Sequence, residues 1–375
     1  MKLDIIKIAK EVFKDKELIL EDVGKDKVKI NYVAKRGNYN RKPFIFPKEI
    51  LIDEGFIEGL ALFLGDGDFH RKEKANATFA SKDKDIIIHF LKFLRTYFLL
   101  TDADFSVSIR YKTKNDDLAK QWAKIIECPW TKIRSAYSDR AKEEACHIQV
   151  NGVIFRKIFE ECLSKICRSN FLMNLRLRRA FLRGIFAAEG SVGIDYKEKK
   201  PYISQITFSI SLKEHELLRL ICTALDSEGM PYRTDLGLKD NSVDIVITNW
   251  ANYLKFWNVK MFDLCQRKKE KFFGIAKNLD IYFDFREDFR PNFFESLNMM
   301  QREIAEKIDS WQANVCRTID GTHLLRVEQV MQLLPYSSYS KKEVIQNIEE
   351  IRIGSLTRIK PTSETVAFLK EFKSI

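Results

Sequence analysis

Two stretches of this chain, GLALFLGDG at 59–67 and LRGIFAAEG at 182–190, are apolar and end alike in an acid followed by glycine. Small residues stand four apart in each: Ala61 and Gly65 in the first, Gly184 and Ala188 in the second. Residues four apart share one face of a helix, so each helix carries a stripe against which another backbone can close. In a chain with two such helices, the natural mate of each is the other. If they lie side by side and parallel, the acids that follow the stripes, Asp66 and Glu189, arrive at one shared end. Two carboxylates there face the negative ends of two helix dipoles and each other, and a divalent, oxygen-seeking cation such as Mg²⁺ is the simplest relief.

The sequence around the two stretches also repeats. After the first, ATFAS alternates as a strand and feeds the helix KDKDIIIHFLKFLRTYF; DFSVSIRYK is a further strand and NDDLAKQWAKIIE a helix. TKIRSAYS and CHIQVN then read as strands, and VIFRKIFEECLSKI closes the unit as a helix. After the second come the strand ISQITFSIS, the helix KEHELLRLICTAL, the strand SVDIVIT and a basic helix QRKKEKFFGIAK. TFASKDKDIII in one half corresponds to FSISLKEHELL in the other and sets Lys82 opposite Lys213 at the same strand-to-helix junction. The order is αββαββα in each half, with extra material in the first. The expected division is a basic leader element at 1–49, halves at 50–168 and 169–280, and a C-terminal domain at 286–375.

The leader reads as a helix over 3–14 and a strand in KVKINYVAKR, followed by KRGNYNRKP, whose Lys35, Arg36, Arg41 and Lys42 could lie on phosphates. The C-terminal domain reads as mostly helical. QREIAEKIDSWQANVCRTIDG resembles a helix-turn-helix, with Ile304, Ala305, Ile308, Val315 and Ile319 at core spacing. LLRVEQVMQLL and KKEVIQNIEEI form a second helical pair, and SLTRIKP reads as the strand of a wing, as in a winged helix.

Composition narrows the class. The 64 Lys and Arg against 53 Asp and Glu give a formal net charge of +11, which favours a polyanionic partner. Seven cysteines without a CxxC pair read as reduced thiols, and no uncharged apolar run is long enough to span a membrane. The expectation is a soluble, cytoplasmic protein.

On these residues the chain resembles the single-chain, two-motif LAGLIDADG homing endonucleases: 59–67 and 182–190 look like two copies of the motif, and the element order fits over 50–280. The resemblance implies an α+β fold of two pseudo-twofold-related αββαββα halves whose sheets form a saddle on DNA. It implies Mg²⁺ at Asp66 and Glu189, with the adjoining Gly65 and Ala188 in the metal set, Mn²⁺ as a substitute and Ca²⁺ binding without cleavage. Lys82 and Lys213 match the family's basic position near the active centre and would neutralise a pentacovalent phosphate. For duplex contacts it points to Arg110, Lys112, Lys132 and Arg134 in the first half, and to Lys197, Lys199, Lys200, Tyr202 and Arg233 in the second. The motifs depart from the family at Leu60 and at Asp68, which is read here as capping a turn.

The implied function is a monomeric, site-specific nuclease that cuts both strands of a long, asymmetric duplex site, of the kind encoded within introns. A non-cleaving transcription regulator on the same scaffold, resembling the WhiA type, is the second reading. An RNA intron maturase is the third, with no RNA-specific signal in the sequence.

Overall fold

A computed structural model of the 375-residue chain describes every residue except 34–41, 70–75, 113–116, 130–132, 140–142, 238–240, 355–356 and 374–375. The chain is an α+β protein that folds as two compact units. The first comprises Met1–Ser191, Thr207–Val246 and Lys260–Lys269; the second comprises Val192–Ile206, Ile247–Val259 and Glu270–Ile375.

In the first unit, the helix Ile5–Val12 starts on Asp4, whose carboxylate accepts the Lys7 N–H at 2.9 Å. The expected strand is Lys27–Tyr32, and it is the middle of a small antiparallel sheet with Leu18–Asp22 and Phe44–Pro47. Phe44 and Phe46 set their rings on Phe155 of the helix Val153–Cys167, which fixes the leader to the first half. Of the expected basic leader residues, Lys35, Arg36 and Arg41 lie outside the described residues. Lys42 is engaged by Asp104 at 2.8 Å.

The first half begins with the helix Glu54–Asp66, capped by Asp53, whose carboxylate accepts the Phe56 N–H at 2.9 Å. Its sheet runs in the order Gly67–Asp68, Asn76–Ser81, Ala145–Asn151, Phe105–Tyr111, Ile133–Tyr137. The last two strands are parallel and the others antiparallel. A parallel pair needs a long crossover, and the extra helix Leu118–Ile126 provides it. Asp68 is a strand residue opposite Thr78, where a turn was expected.

The second half follows the simple αββαββα order: helix Leu175–Glu189, strands Gly190–Lys197 and Lys200–Ser211, helix His215–Ser227, strands Arg233–Leu236 and Ser242–Ile247, helix Trp250–Asn258. The last helix, WANYLKFWN, was not read from the sequence, because aromatic residues on nearly every turn blur its polar face.

The C-terminal part of the second unit departs from the mostly helical expectation. It holds an antiparallel sheet in the order Leu325–Arg326, Ile281–Phe285, Ile348–Ile353, Thr357–Ile359. The stretch KKEVIQNIEEI is helical only over Lys341–Gln346; Asn347 ends the helix, and from Ile348 the chain alternates buried and exposed as a strand. The wing strand in SLTRIKP is present as Thr357–Ile359. The expected helix pair forms as Gln301–Lys307 and Gln312–Ile319, with Ile304, Ala305, Ile308 and Val315 buried. Ile319 is half-exposed, and Thr318 takes the core position instead, its hydroxyl donating to the Asn314 carbonyl at 2.8 Å. Among the described residues no helix is long and apolar enough to cross a membrane.

Candidate metal centre and nucleic-acid interface

The two motif helices lie against each other in parallel register. A Cβ on Gly65 would stand 2.5 Å from the Ala188 Cβ and 3.0 Å from the Glu189 Cγ, and a Cβ on Gly184 would stand 2.7 Å from the Ala61 Cβ and 2.6 Å from the Glu58 carbonyl oxygen. Ala61 therefore meets Gly184, Gly65 meets Ala188, and the helix ends coincide. Arg183 adds a polar clamp across the seam, its Nε donating to Glu58 at 2.7 Å and its Nη2 to Glu54 at 2.9 Å, while His89 approaches Glu58 at 3.3 Å.

Each helix stops in the same way. Gly67 donates its N–H to the Phe63 carbonyl and Gly190 donates to the Phe186 carbonyl, both in extended backbone. Glycine is needed there for room, since a Cβ at either position would run into the ring and carbonyl oxygen of that phenylalanine. The chain then turns into the first strand of its half, which leaves Asp66 and Glu189 side by side at the shared end.

Burial and mutual repulsion set the electrostatics at this end. Burial pushes the Asp66 carboxyl up to about 6, against the pull of Lys268, with the charge of Asp83 adding to the rise. Burial pushes Glu189 up to about 8, and the charges of Asp66 and Glu214 raise it further while Lys268 opposes them. The physical sequence is that Asp66 ionises first and Glu189 must then ionise against it.

The cation facing both acids is Lys268, which sequence reasoning missed. It is almost fully buried, and its Nζ donates to the carbonyls of Phe186 at 2.7 Å, Ala187 at 2.6 Å and Ala188 at 3.4 Å, capping the second motif helix. Burial lowers its ammonium to about 8, a fall opposed by Cys265 and Asp66. The available signal was the basic run QRKKEK, but nothing in that run distinguishes Lys268 from its neighbours. Replacing it with Met is expected to move both carboxyl titrations above about 6 and 8. Carbon NMR of labelled Asp and Glu side chains checks this, and unchanged titrations would contradict it.

Lys82 and Lys213 each stand immediately before the acid that precedes a helix, Asp83 before Lys84–Phe98 and Glu214 before His215–Ser227, so their correspondence holds. Lys82 lies on the surface in an ion pair with Glu143 at 2.6 Å, and Lys213 is exposed. The electrostatic partners of Asp66 and Glu189 are Lys268, Asp83 and Glu214, with neither junction lysine among them.

Of the expected duplex contacts, Arg110 and Arg134 are exposed on the last two strands of the first sheet and Lys112 just beyond them, and Lys132 lies outside the described residues. Lys197, Lys199, Lys200 and Tyr202 are exposed around a hairpin tip in which Glu198 and Lys199 take positive φ, the backbone of a two-residue turn. Arg233 is exposed and pairs with Asp235 at 2.9 Å.

The first sheet also carries uncharged hydrogen-bonding groups that charge-based reading passed over. Thr78, Gln149 and Ser106 align in one cross-strand row, His147 and Ser108 pair in the next beside the expected Arg134, and Asn76 stands opposite Asn151. Their partly exposed positions alternate with buried ones along each strand, so the period-two pattern of CHIQVN and DFSVSIRYK was the signal that could have found them. Amides and hydroxyls of this kind read base edges.

Two half-buried carboxylates held above their usual range are a hard-oxygen donor pair that suits Mg²⁺, which keeps waters and takes one or two carboxylates with the rest from phosphates. Among the described residues no group of three or more His, Cys, Asp or Glu side chains gathers to hold a metal ion. Phosphate and water oxygens would complete the shell.

No protein-family model and no curated protein sequence matches the chain. Among solved structures, it is similar to mesophilic variants of the homing endonuclease I-DmoI, at 14% identity over 55% of this chain and 94% of that one, TM-score 0.33. It is also similar to the homing endonuclease I-WcaI bound to its DNA recognition sequence, at 16% identity over 59% of this chain and 86% of that one, TM-score 0.34. A third is full-length DUF199/WhiA from Thermatoga maritima, at 13% identity over 76% of this chain and 93% of that one, TM-score 0.34. All three are distant likenesses.

Proposed function

We propose that this chain is a divalent-metal-dependent endonuclease of the two-motif LAGLIDADG type acting on duplex DNA. The observation that carries the reading is the convergence of Asp66 and Glu189 at the ends of two parallel helices. A site that crowds two half-buried carboxylates at one helix end is costly to keep without a ligand that uses them.

In the reaction, a water oxygen bonds to phosphorus, the bond from phosphorus to one sugar oxygen breaks, and the proton of the water ends on the departing alcohol. Mg²⁺ bound by Asp66 and Glu189 would supply charge for the phosphate oxygens and acidify the attacking water. Lys268 fixes the carbonyl end of the second helix, and with it the place of Glu189. Lys82 and Lys213 line the approach, and because the Lys82 pair is surface-exposed, a phosphate displaces Glu143 from it at little cost.

The charge distribution supports a duplex seated on the two halves. Residues 280–375 hold 13 Lys and Arg against 15 Asp and Glu, so the excess of basic residues lies wholly in residues 1–279, with the acid pair. The C-terminal helix pair, with Arg317 and Trp311 exposed, is then a base-reading element at most and not a phosphate clamp.

The test is incubation of the protein and Mg²⁺ with a randomised duplex pool, followed by recovery of cut molecules. Cleaved duplexes sharing one long asymmetric sequence are expected, and Asp66→Asn should bind that duplex without cutting it. Binding without cutting by the wild type, in Mg²⁺ and Mn²⁺ alike, would establish the regulator reading instead. Preferential binding of structured RNA over duplex would establish the maturase reading.

A further inference from the structure

The two strand-to-helix junctions beside the acid pair are built alike and neutralised differently. In the first half, Asp83 is almost buried, and Arg267 holds it with two parallel bonds, Nε to Oδ1 at 2.7 Å and Nη2 to Oδ2 at 2.9 Å. The neighbouring residues add to this clamp: the Gln266 N–H donates to Asp85 at 2.5 Å, and the Cys265 thiol donates to Asp83 at 3.6 Å. In the second half, Glu214 stands in the place of Asp83, before His215–Ser227, and among the described residues it forms no ion pair. Among the described residues no arginine pairs with Glu214; Arg168, which follows the first half, acts on Glu216 two residues further on.

A phosphate approaching the first junction therefore meets a carboxylate already matched by a guanidinium. At the second junction it meets a carboxyl that has a backbone hydrogen bond at Ser211 and no guanidinium. One uncompensated charge beside the scissile phosphate, at an effective dielectric near 20, alters an equilibrium or a rate by about tenfold.

Resting on the nuclease reading, we infer that Arg267 is a positioning residue that, by neutralising Asp83, favours hydrolysis of the strand served by the first junction over the strand served by the second. Arg267 acts through Asp83 and touches neither the acid pair nor the scissile bond. Glu214 is the matching brake on the other strand.

The experiment uses the full-length protein and a duplex recovered from the randomised pool, with each strand carrying a different 5′ dye. In Mg²⁺ the wild type is expected to cut one strand about tenfold faster than the other. Arg267→Ala should slow that strand alone and bring the ratio near one, Arg267→Lys should give a value between, and Glu214→Gln should speed the slower strand. Anisotropy binding of the same duplex in EDTA reads the charge effect without chemistry: Glu214→Gln should bind several-fold tighter and Arg267→Ala several-fold weaker. Equal strand rates in the wild type overturn the inference and leave the nuclease reading intact. A ratio unchanged in Arg267→Ala, both strands slowing together, also overturns it by reducing Arg267 to a structural tie. No cleavage of any duplex by the wild type removes the nuclease reading and this inference with it.

Discussion

Glu189→Gln is expected to abolish strand cutting and, in the absence of metal, to make the folded chain more stable at pH 7 by about 3 kcal/mol. The folded-state carboxyl of Glu189 sits at about 8, well above its ordinary value of 4.5, chiefly through burial and then through the charge of Asp66. Between those two values the folded chain holds a proton that the unfolded chain has released. Stability therefore falls as pH rises across that window, by about 1.4 kcal/mol for each unit. An uncharged amide of the same shape removes that slope. The gain should be absent at pH 4, where the carboxyl is protonated in both states, and should appear as a melting temperature higher by about 5–10 °C at pH 7. Millimolar Mg²⁺ should stabilise the wild type at pH 8 and leave the variant unmoved, because a ligand stabilises only the state that binds it. Melting curves against pH with and without metal check all three, and a variant less stable than the wild type at pH 7 would contradict the electrostatic account. Asp66 is the less favourable choice for this test, since its charge supports the buried Lys268 ammonium and removing it takes that support away.

Gly184→Val should have the opposite effect and a large one. Glycine in a helix interior ordinarily costs about 1 kcal/mol relative to alanine, so propensity alone favours any replacement. Here the first added carbon would lie 2.6 Å from the Glu58 carbonyl oxygen and 2.7 Å from the Ala61 Cβ, where 3.5–4.0 Å is comfortable for two carbons. Neither neighbour is a flexible side chain, so the helices must part by about 1 Å. The expected loss is about 3 kcal/mol or more, with strand cutting reduced at least a hundredfold because the two acids separate with their helices. Gly65→Val should behave alike, its Cβ meeting Ala188 at 2.5 Å. Gly274→Ala is the control: no atom lies within 4 Å of its added carbon, and a gain of up to about 1 kcal/mol is expected. Urea unfolding curves for the three variants decide the matter, and near-neutral Gly184 and Gly65 variants would mean that the seam is looser than described.

The difference between these glycines explains how much of the site was legible in the sequence. Ala61, Gly65, Gly184 and Ala188 could be read because close helix approach strips side chains at a fixed spacing, which leaves a local pattern. The acids were legible because they follow that pattern directly. Lys268 was not, since its acceptors are carbonyls of residues about 80 positions earlier and backbone carbonyls carry no sequence signature. Arg267 was hidden for the same reason: its partner Asp83 lies 184 positions away. In the C-terminal unit, Val344, Ile348 and Ile351 fall at helical spacing, and the strand Ile348–Ile353 was read as helix because three residues cannot reveal a change of period. Around the leader four strands, Lys2–Asp4, Leu18–Asp22, Phe44–Pro47 and Glu49–Leu51, left no pattern in the sequence because each is five residues or shorter.

A stripe of small residues brings helices together without choosing which ones, and the clamp at Arg183 makes that choice. Two copies of the first helix, aligned as this pair is, would set Glu54 and Glu58 against the same acids. Two copies of the second would set arginine against arginine. Only the mixed pair places Arg183 between Glu54 and Glu58. During synthesis the first helix is complete more than 100 residues before its mate, and for that interval its bare stripe is open to the same helix on a neighbouring nascent chain. The acids bordering the stripe repel that encounter and welcome the later arginine, so the chain closes on itself instead of on its neighbours.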